Sequence, residues 1–154
     1  MTDVPWDKIH SRIDGMISDD GNTDEKLLSV CKVLELYVPH YHWVGFYLTD
    51  PNRDRMLVLG PYVGDPTDHV EIPFGRGICG QAAERKETFI IQDVSKEDNY
   101  LSCSPFVRSE IVVPIMRDGS VLGEIDIDSH DTDPFTTDDR VQLEHIAKKV
   151  SSIL

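Results

Sequence analysis

Between Ser109 and Ser129 the chain reads SEIVVPIMRDGSVLGEIDIDS. Two runs of strand-forming residues flank Asp118-Gly119, one of the stronger short-range hairpin signals. In the first run Glu110, Val112 and Pro114 alternate with Ile111, Val113 and Ile115, so both sides are largely apolar. Such a strand belongs near the centre of a covered sheet. In the second run Glu124, Asp126 and Asp128 project from one face, and Ile125 and Ile127 from the other. Whatever the rest of the chain does, it must complete a sheet around this hairpin.

A second hairpin comes earlier. YHWVGFYLTD, the turn PNRD and RMLVLGPYV carry a period of two, with Trp43, Gly45 and Tyr47 sharing one strand face. Gly45 between two aromatics predicts a notch where a ligand or another backbone approaches. Helical spacing covers the first third. Trp6, Ile9, Ile13, Met16 and Ile17 form one stripe, and Leu27, Leu28, Cys31, Leu34 and Leu36 form a second. Thr23 is the expected N-cap of that second helix, and Pro39 stops it.

VEIPFGRGICGQAAERKET predicts a short strand, a glycine-rich turn and a short helix from near Gly77. FIIQDV predicts another short strand, and residues 93–108 a polar loop. PFTTDDRVQLEHIAKKVSSIL is a helix capped by Thr136 or Thr137, with Val141, Leu143, Ile146, Ala147 and Val150 facing the sheet. The order predicts one α+β domain over residues 1–154, an antiparallel sheet with helices segregated mainly to one side.

Fifteen basic against 28 acidic residues give a net charge of -13. Such a chain repels phosphate backbones, so nucleic acid is not an expected partner. No apolar run reaches the roughly 20 residues that cross a bilayer, and MTDVPWDKIH has no secretory pattern. The expected location is the cytoplasm, with no membrane association. Three widely spaced cysteines, Cys31, Cys79 and Cys103, argue against a disulfide scaffold or a zinc site of usual spacing. The histidines form no HxH or HExxH set, and Asp126-x-Asp128 alone is weak evidence for Mg²⁺ or Ca²⁺. No metal and no bound cofactor are expected.

The chemistry-bearing residues cluster on the central hairpin. Glu124, Asp126 and Asp128 read either as a solvated strand face or as the floor of a pocket. Glu110, heading an otherwise apolar strand, favours the pocket. If Glu110 and Asp126 meet in a desolvated site, one carboxyl holds its proton and serves as a general acid, while an ionised neighbour holds a substrate cation. Trp43 and Tyr47 are either walls of that pocket or core residues. Cys103 lies in a polar loop, where a structural role is less natural than for Cys31. Cys79 sits near a helix N-terminus, whose dipole favours thiolate, or else simply fills a tight helix contact.

Taken together, WVGFYL, LVLGPYVG, IPFGRGICG, SEIVVPI and GEIDIDS, in this order, resemble the GAF-domain free methionine-(R)-sulfoxide reductases. The resemblance runs from the second helix to the last. It implies a GAF-like fold, terminal helices on one side of the sheet and pocket-forming loops on the other. It implies Cys103 as the nucleophile, Glu110, Asp126 and Asp128 as the acidic pocket, and Trp43 and Tyr47 as its aromatic wall. The implied reaction reduces free methionine-(R)-sulfoxide through a sulfenic acid on Cys103. A thioredoxin-like external thiol then resets the enzyme, a function in oxidative stress.

One departure stands out. Where the family commonly carries a further, resolving cysteine, about ten residues before the one in GRGICG, this chain has His69. Cys79 is then the family-positioned partner of Cys103. Resolution by Cys79, resolution by an external small thiol and loss of the reductase activity all stay open. The rival reading is a stand-alone GAF module that binds a small cationic metabolite without chemistry. The first and last helices offer faces for pairing between subunits; a homodimer and a monomer both stay open.

Overall fold

The computed structural model describes residues 3–101 and 104–154; Cys103, the expected nucleophile, lies outside the described residues. Among the described residues the order is α1 (Trp6–Ser18), α2 (Thr23–Tyr37), β1 (Trp43–Thr49), β2 (Met56–Val63), β3 (Glu71–Pro73), α3 (Gly77–Arg85), β4 (Phe89–Ile91), β5 (Ser109–Arg117), β6 (Ser120–Ser129) and α4 (Thr137–Val150). The strands form one antiparallel sheet in the order β3-β2-β1-β6-β5-β4. This is the α+β arrangement that the sequence predicts. No helix among the described residues is long and apolar enough to cross a membrane.

The β5–β6 hairpin lies within the sheet, β6 pairing with β1 and β5 with β4. Its alternation sorts the two faces. Ile111, Val113, Ile115, Ile125 and Ile127 join Val44 and Phe46 of β1 under α1, α2 and α4 in the larger core. The opposite face carries a smaller cluster in which Trp43, Tyr47 and Val112 pack against Ile78, Cys79, Ala82 and Ala83 of α3. Gly80 brings α3 close to β3: a Cβ there would lie 2.6 Å from the Pro73 carbonyl oxygen, so a larger residue would push the helix off the strand.

Three expectations about the helices are corrected. Leu36 is 73% exposed and Val141 54%. Each stands two positions from a buried residue of its own helix, Leu34 and Leu143, and two positions turn the side chain about 200° around the axis. The N-cap of α2 is Asn22, whose side chain accepts a hydrogen bond from the Glu25 amide at 2.8 Å; Thr23 is the first helical residue. At α4 Thr136 caps, in a reciprocal capping box with Asp139.

Candidate active site

Strand register assembles the acidic face. In β6 Glu124 stands opposite Tyr47, Asp126 opposite Gly45 and Asp128 opposite Trp43 of β1. On the other side, Asp128 stands opposite Glu110 of β5, with Asp126 opposite Val112. None of these acids is solvated. Glu110 is 5% exposed, Asp126 1%, Asp128 2% and Glu124 0%. The pocket reading therefore holds over the solvated-face reading. Glu124, which the alternation offered as pocket floor with Asp126 and Asp128 but the resemblance did not carry into the acidic pocket, stands between Tyr47 and Pro114, removed from water entirely.

Helix α3 closes over this face and delivers Cys79. Its sulfur lies 3.9 Å from Glu110 Oε2, the outer limit for a thiol donor. One donor atom each from Cys79, Glu110 and Asp126 lie within 4.8 Å of one another. These three residues line a narrow cavity with Tyr47, His69, Ile72, Ile78 and Leu101. A neighbouring cavity is bounded by Trp43, Asp128, His42, His130 and Ser104. Leu101 and Ser104 are the described residues on either side of Ser102 and Cys103. His69, the residue that the sequence puts where the resemblance implies a further cysteine, lines the same cavity as Cys79.

The two aromatics are firmly held. Tyr47 is fully buried and its hydroxyl donates to the His69 carbonyl at 2.8 Å. Trp43 Nε1 donates to the Asp65 carbonyl at 2.9 Å, and its ring stacks on Tyr62 with centroids 5.1 Å apart. The notch predicted at Gly45 is filled. A Cβ there would lie 2.5 Å from the Trp43 ring, so the glycine admits the indole of its own strand rather than a ligand.

Electrostatics follow from burial. Both oxygens of Glu124 and of Asp128, and Oδ1 of Asp126, have no hydrogen-bond partner among the described residues. Desolvation raises the pKa of Glu124, Asp126 and Asp128 above the usual carboxylate range, and the charge of Asp126 adds to the rise of its two neighbours. Burial also pushes the Cys79 thiol well up, reinforced by the surrounding acids, Asp126 first. This overturns the expectation of a helix-dipole thiolate, since a partial charge at a helix end is outweighed by desolvation and four carboxyls. Cys31 is fully buried in the larger core, as its spacing predicts, and desolvation raises its thiol too.

The absence of metal-ligand spacing along the chain does not extend to space. Cys79, Glu110 and Asp126 come from a helix and two strands, and only the fold brings their donor atoms together.

A family model described as a GAF domain matches residues 25–154. A free methionine-R-sulfoxide reductase of Saccharomyces cerevisiae is 37% identical over 147 residues, spanning 88% of this chain and 81% of the yeast protein. The structure of the free methionine-R-sulfoxide reductase from Neisseria meningitidis in complex with its substrate superposes with a TM-score of 0.92. It is 34% identical, over 99% of this chain and 91% of that one. The Staphylococcus aureus fRMsr in complex with substrate gives a TM-score of 0.89 at 32% identity, over 100% of this chain and 98% of that one.

Proposed function

This chain belongs to the GAF-domain family, beside relatives named free methionine-R-sulfoxide reductase, and on that premise we propose that it reduces free methionine-(R)-sulfoxide to methionine. The observation that carries the reading is the meeting of a buried thiol, Cys79, with Glu110 and Asp126 in a cavity walled by Leu101, two residues before Cys103. A mere binding pocket for a cation needs the acids but not the thiol.

The Cys103 thiol attacks the sulfoxide sulfur. A proton reaches the sulfoxide oxygen from Glu110 or Asp126, and burial disposes Asp126 to hold one. The oxygen leaves on Cys103 as a sulfenic acid, and methionine is released as the sulfide. Asp128 and the remaining carboxylates hold the substrate ammonium, with Trp43 and Tyr47 as rigid walls. This selects a free amino acid over a peptide-bound one.

Cys79 then condenses with the sulfenic acid. Its sulfur displaces hydroxide from Cys103, its proton joins that hydroxide, and a disulfide and water result. A thiol kept protonated by its surroundings does not compete with Cys103 for the sulfoxide. A thioredoxin-like dithiol of a reducing cytoplasm takes up the disulfide and regenerates both thiols.

A single turnover tests the proposal. Reduced protein, without a recycling reductant, is mixed with the R or the S epimer of free methionine sulfoxide. The expected result is about one methionine per subunit from the R epimer alone, with about two thiols lost and neither change in Cys103→Ser. One thiol lost per methionine assigns resolution to an external thiol instead of Cys79. No methionine from either epimer overturns the reductase and leaves the ligand-binding module.

A further inference from the structure

The geometry points to a second use of the same buried triad: Cys79, Glu110 and Asp126 form a site for a thiophilic divalent cation of the Zn²⁺ class, which competes with the substrate. The competition rests on the reading proposed above; the cation site does not.

Three observations carry the site. The donors come from three separate elements, the third residue of α3, the second of β5 and the middle of β6, so their positions are fixed by sheet register and helix packing rather than by flexible loops. One donor atom from each falls within 4.8 Å of the other two, and all three residues are buried. Tetrahedral zinc with bonds of about 2.0–2.3 Å separates its ligand atoms by about 3.3–3.8 Å, so side-chain adjustments of about 1 Å close the set. Asp126 lines this cavity, and its buried Oδ1 has no hydrogen-bond partner among the described residues. A buried carboxylate oxygen without a donor is a site awaiting a cation or a proton.

The donor set also selects the ion. Mg²⁺ and Ca²⁺ demand oxygen alone and six or more ligands, whereas a thiolate with two carboxylates suits Zn²⁺. The three residues line one cavity, and water there would supply the fourth ligand of a tetrahedron. Binding exchanges the Cys79 proton for the metal, and that proton leaves to solvent. No electrons move. While the ion is bound, the carboxylates are withdrawn from the substrate ammonium and the Cys79 sulfur is withdrawn from disulfide formation.

Co²⁺ serves as the probe, because a thiolate bound to it gives a charge-transfer absorption that carboxylates alone do not. Reduced protein is titrated with Co²⁺, then with Zn²⁺. The expected result is one Co²⁺ per chain with a thiolate band, and displacement by Zn²⁺. The band is retained in Cys103→Ser, lost in Cys79→Ser and weakened about tenfold or more in affinity in Asp126→Asn. Circular dichroism of each variant reports folding, and the near-isosteric Asp126→Asn stands as the second test if Cys79→Ser misfolds. In Cys103→Ser, which cannot turn over, free methionine-(R)-sulfoxide displaces the Co²⁺. The site is overturned by the lack of a thiolate band, or by a band that follows Cys103 instead of Cys79. The competition is overturned by a band that saturating sulfoxide leaves unchanged. A bound Co²⁺ in a protein that yields no methionine keeps the site and discards the reductase.

Discussion

Two sets of buried carboxylates lie in this domain and are treated in opposite ways. Asp139, 3% exposed at the start of α4, is saturated: His40 Nε2 at 3.1 Å and the Tyr41 hydroxyl at 2.5 Å meet Oδ1, while the Thr136 amide at 2.7 Å and hydroxyl at 3.0 Å meet Oδ2. Burial acts to raise its pKa, but these hydrogen bonds outweigh it and hold the group below the usual carboxylate value. Asp126, Asp128 and Glu124 are equally buried, and five of their oxygens have no partner among the described residues. One acid ties α4 to the chain entering β1. The others keep open a polar demand that only a proton or a ligand can meet.

Exchanging charge for an isosteric amide should split the two sets. Asp126→Asn is expected to lower kcat/KM for free methionine-(R)-sulfoxide by about a hundredfold or more, while the melting temperature holds or rises. Asp139→Asn should do the reverse. Breaking a saturated buried network is expected to lower unfolding free energy by about 2–3 kcal/mol in urea titrations, with KM unchanged. A matched loss of stability in both variants would show that the site acids are structural and dissolve the comparison.

Titration separates the sets along the pH axis. Asp139 has a folded pKa below its unfolded value, so its contribution is present above that unfolded value and is lost as pH falls through the folded one. Glu124, Asp126 and Asp128 have raised folded pKa values, so their protonated forms stabilise the fold below the ordinary carboxylate range, and that contribution drains away as pH rises through the folded values. Unfolding free energy against pH is therefore expected to decline above the ordinary carboxylate range, and Asp126→Asn should flatten that decline without moving the acid limb. An unchanged slope in the variant would mean that Asp126 is ionised in the resting fold.

The acid face was legible because a strand has a period of two. GEIDIDS admits one sorting of side chains, and Asp118-Gly119 pins its register against β5. The meeting of Cys79 with Glu110 and Asp126 was not legible, because no local pattern encodes how α3 settles on the sheet. That depends on close contacts such as Gly80 against the Pro73 carbonyl. At Gly45 the sequence pointed correctly to a close approach and wrongly to what approaches, since it does not show that the Trp43 ring turns along its own strand onto Tyr62. The contrast between saturated and unsatisfied acids lay beyond the sequence too. Asp139 is one acid among three between Asp133 and Asp139, and only the fold brings His40 and Tyr41 to it.

The smallest expected effect tests whether burial, rather than residue type, sets these energies. Leu34 is fully buried beneath α2, and Leu36 is 73% exposed on the same helix. Leu34→Ala should cost about 2–5 kcal/mol from lost transfer energy and the cavity left behind. Leu36→Ser should stay within about 0.5 kcal/mol, as should Val141→Ser on α4, when unfolding is followed at low protein concentration. A homodimer that covers either residue would break that expectation in a recognisable way. The substitution would then lower the melting temperature by an amount that depends on protein concentration, because dissociation is coupled to unfolding and a monomer shows no such dependence.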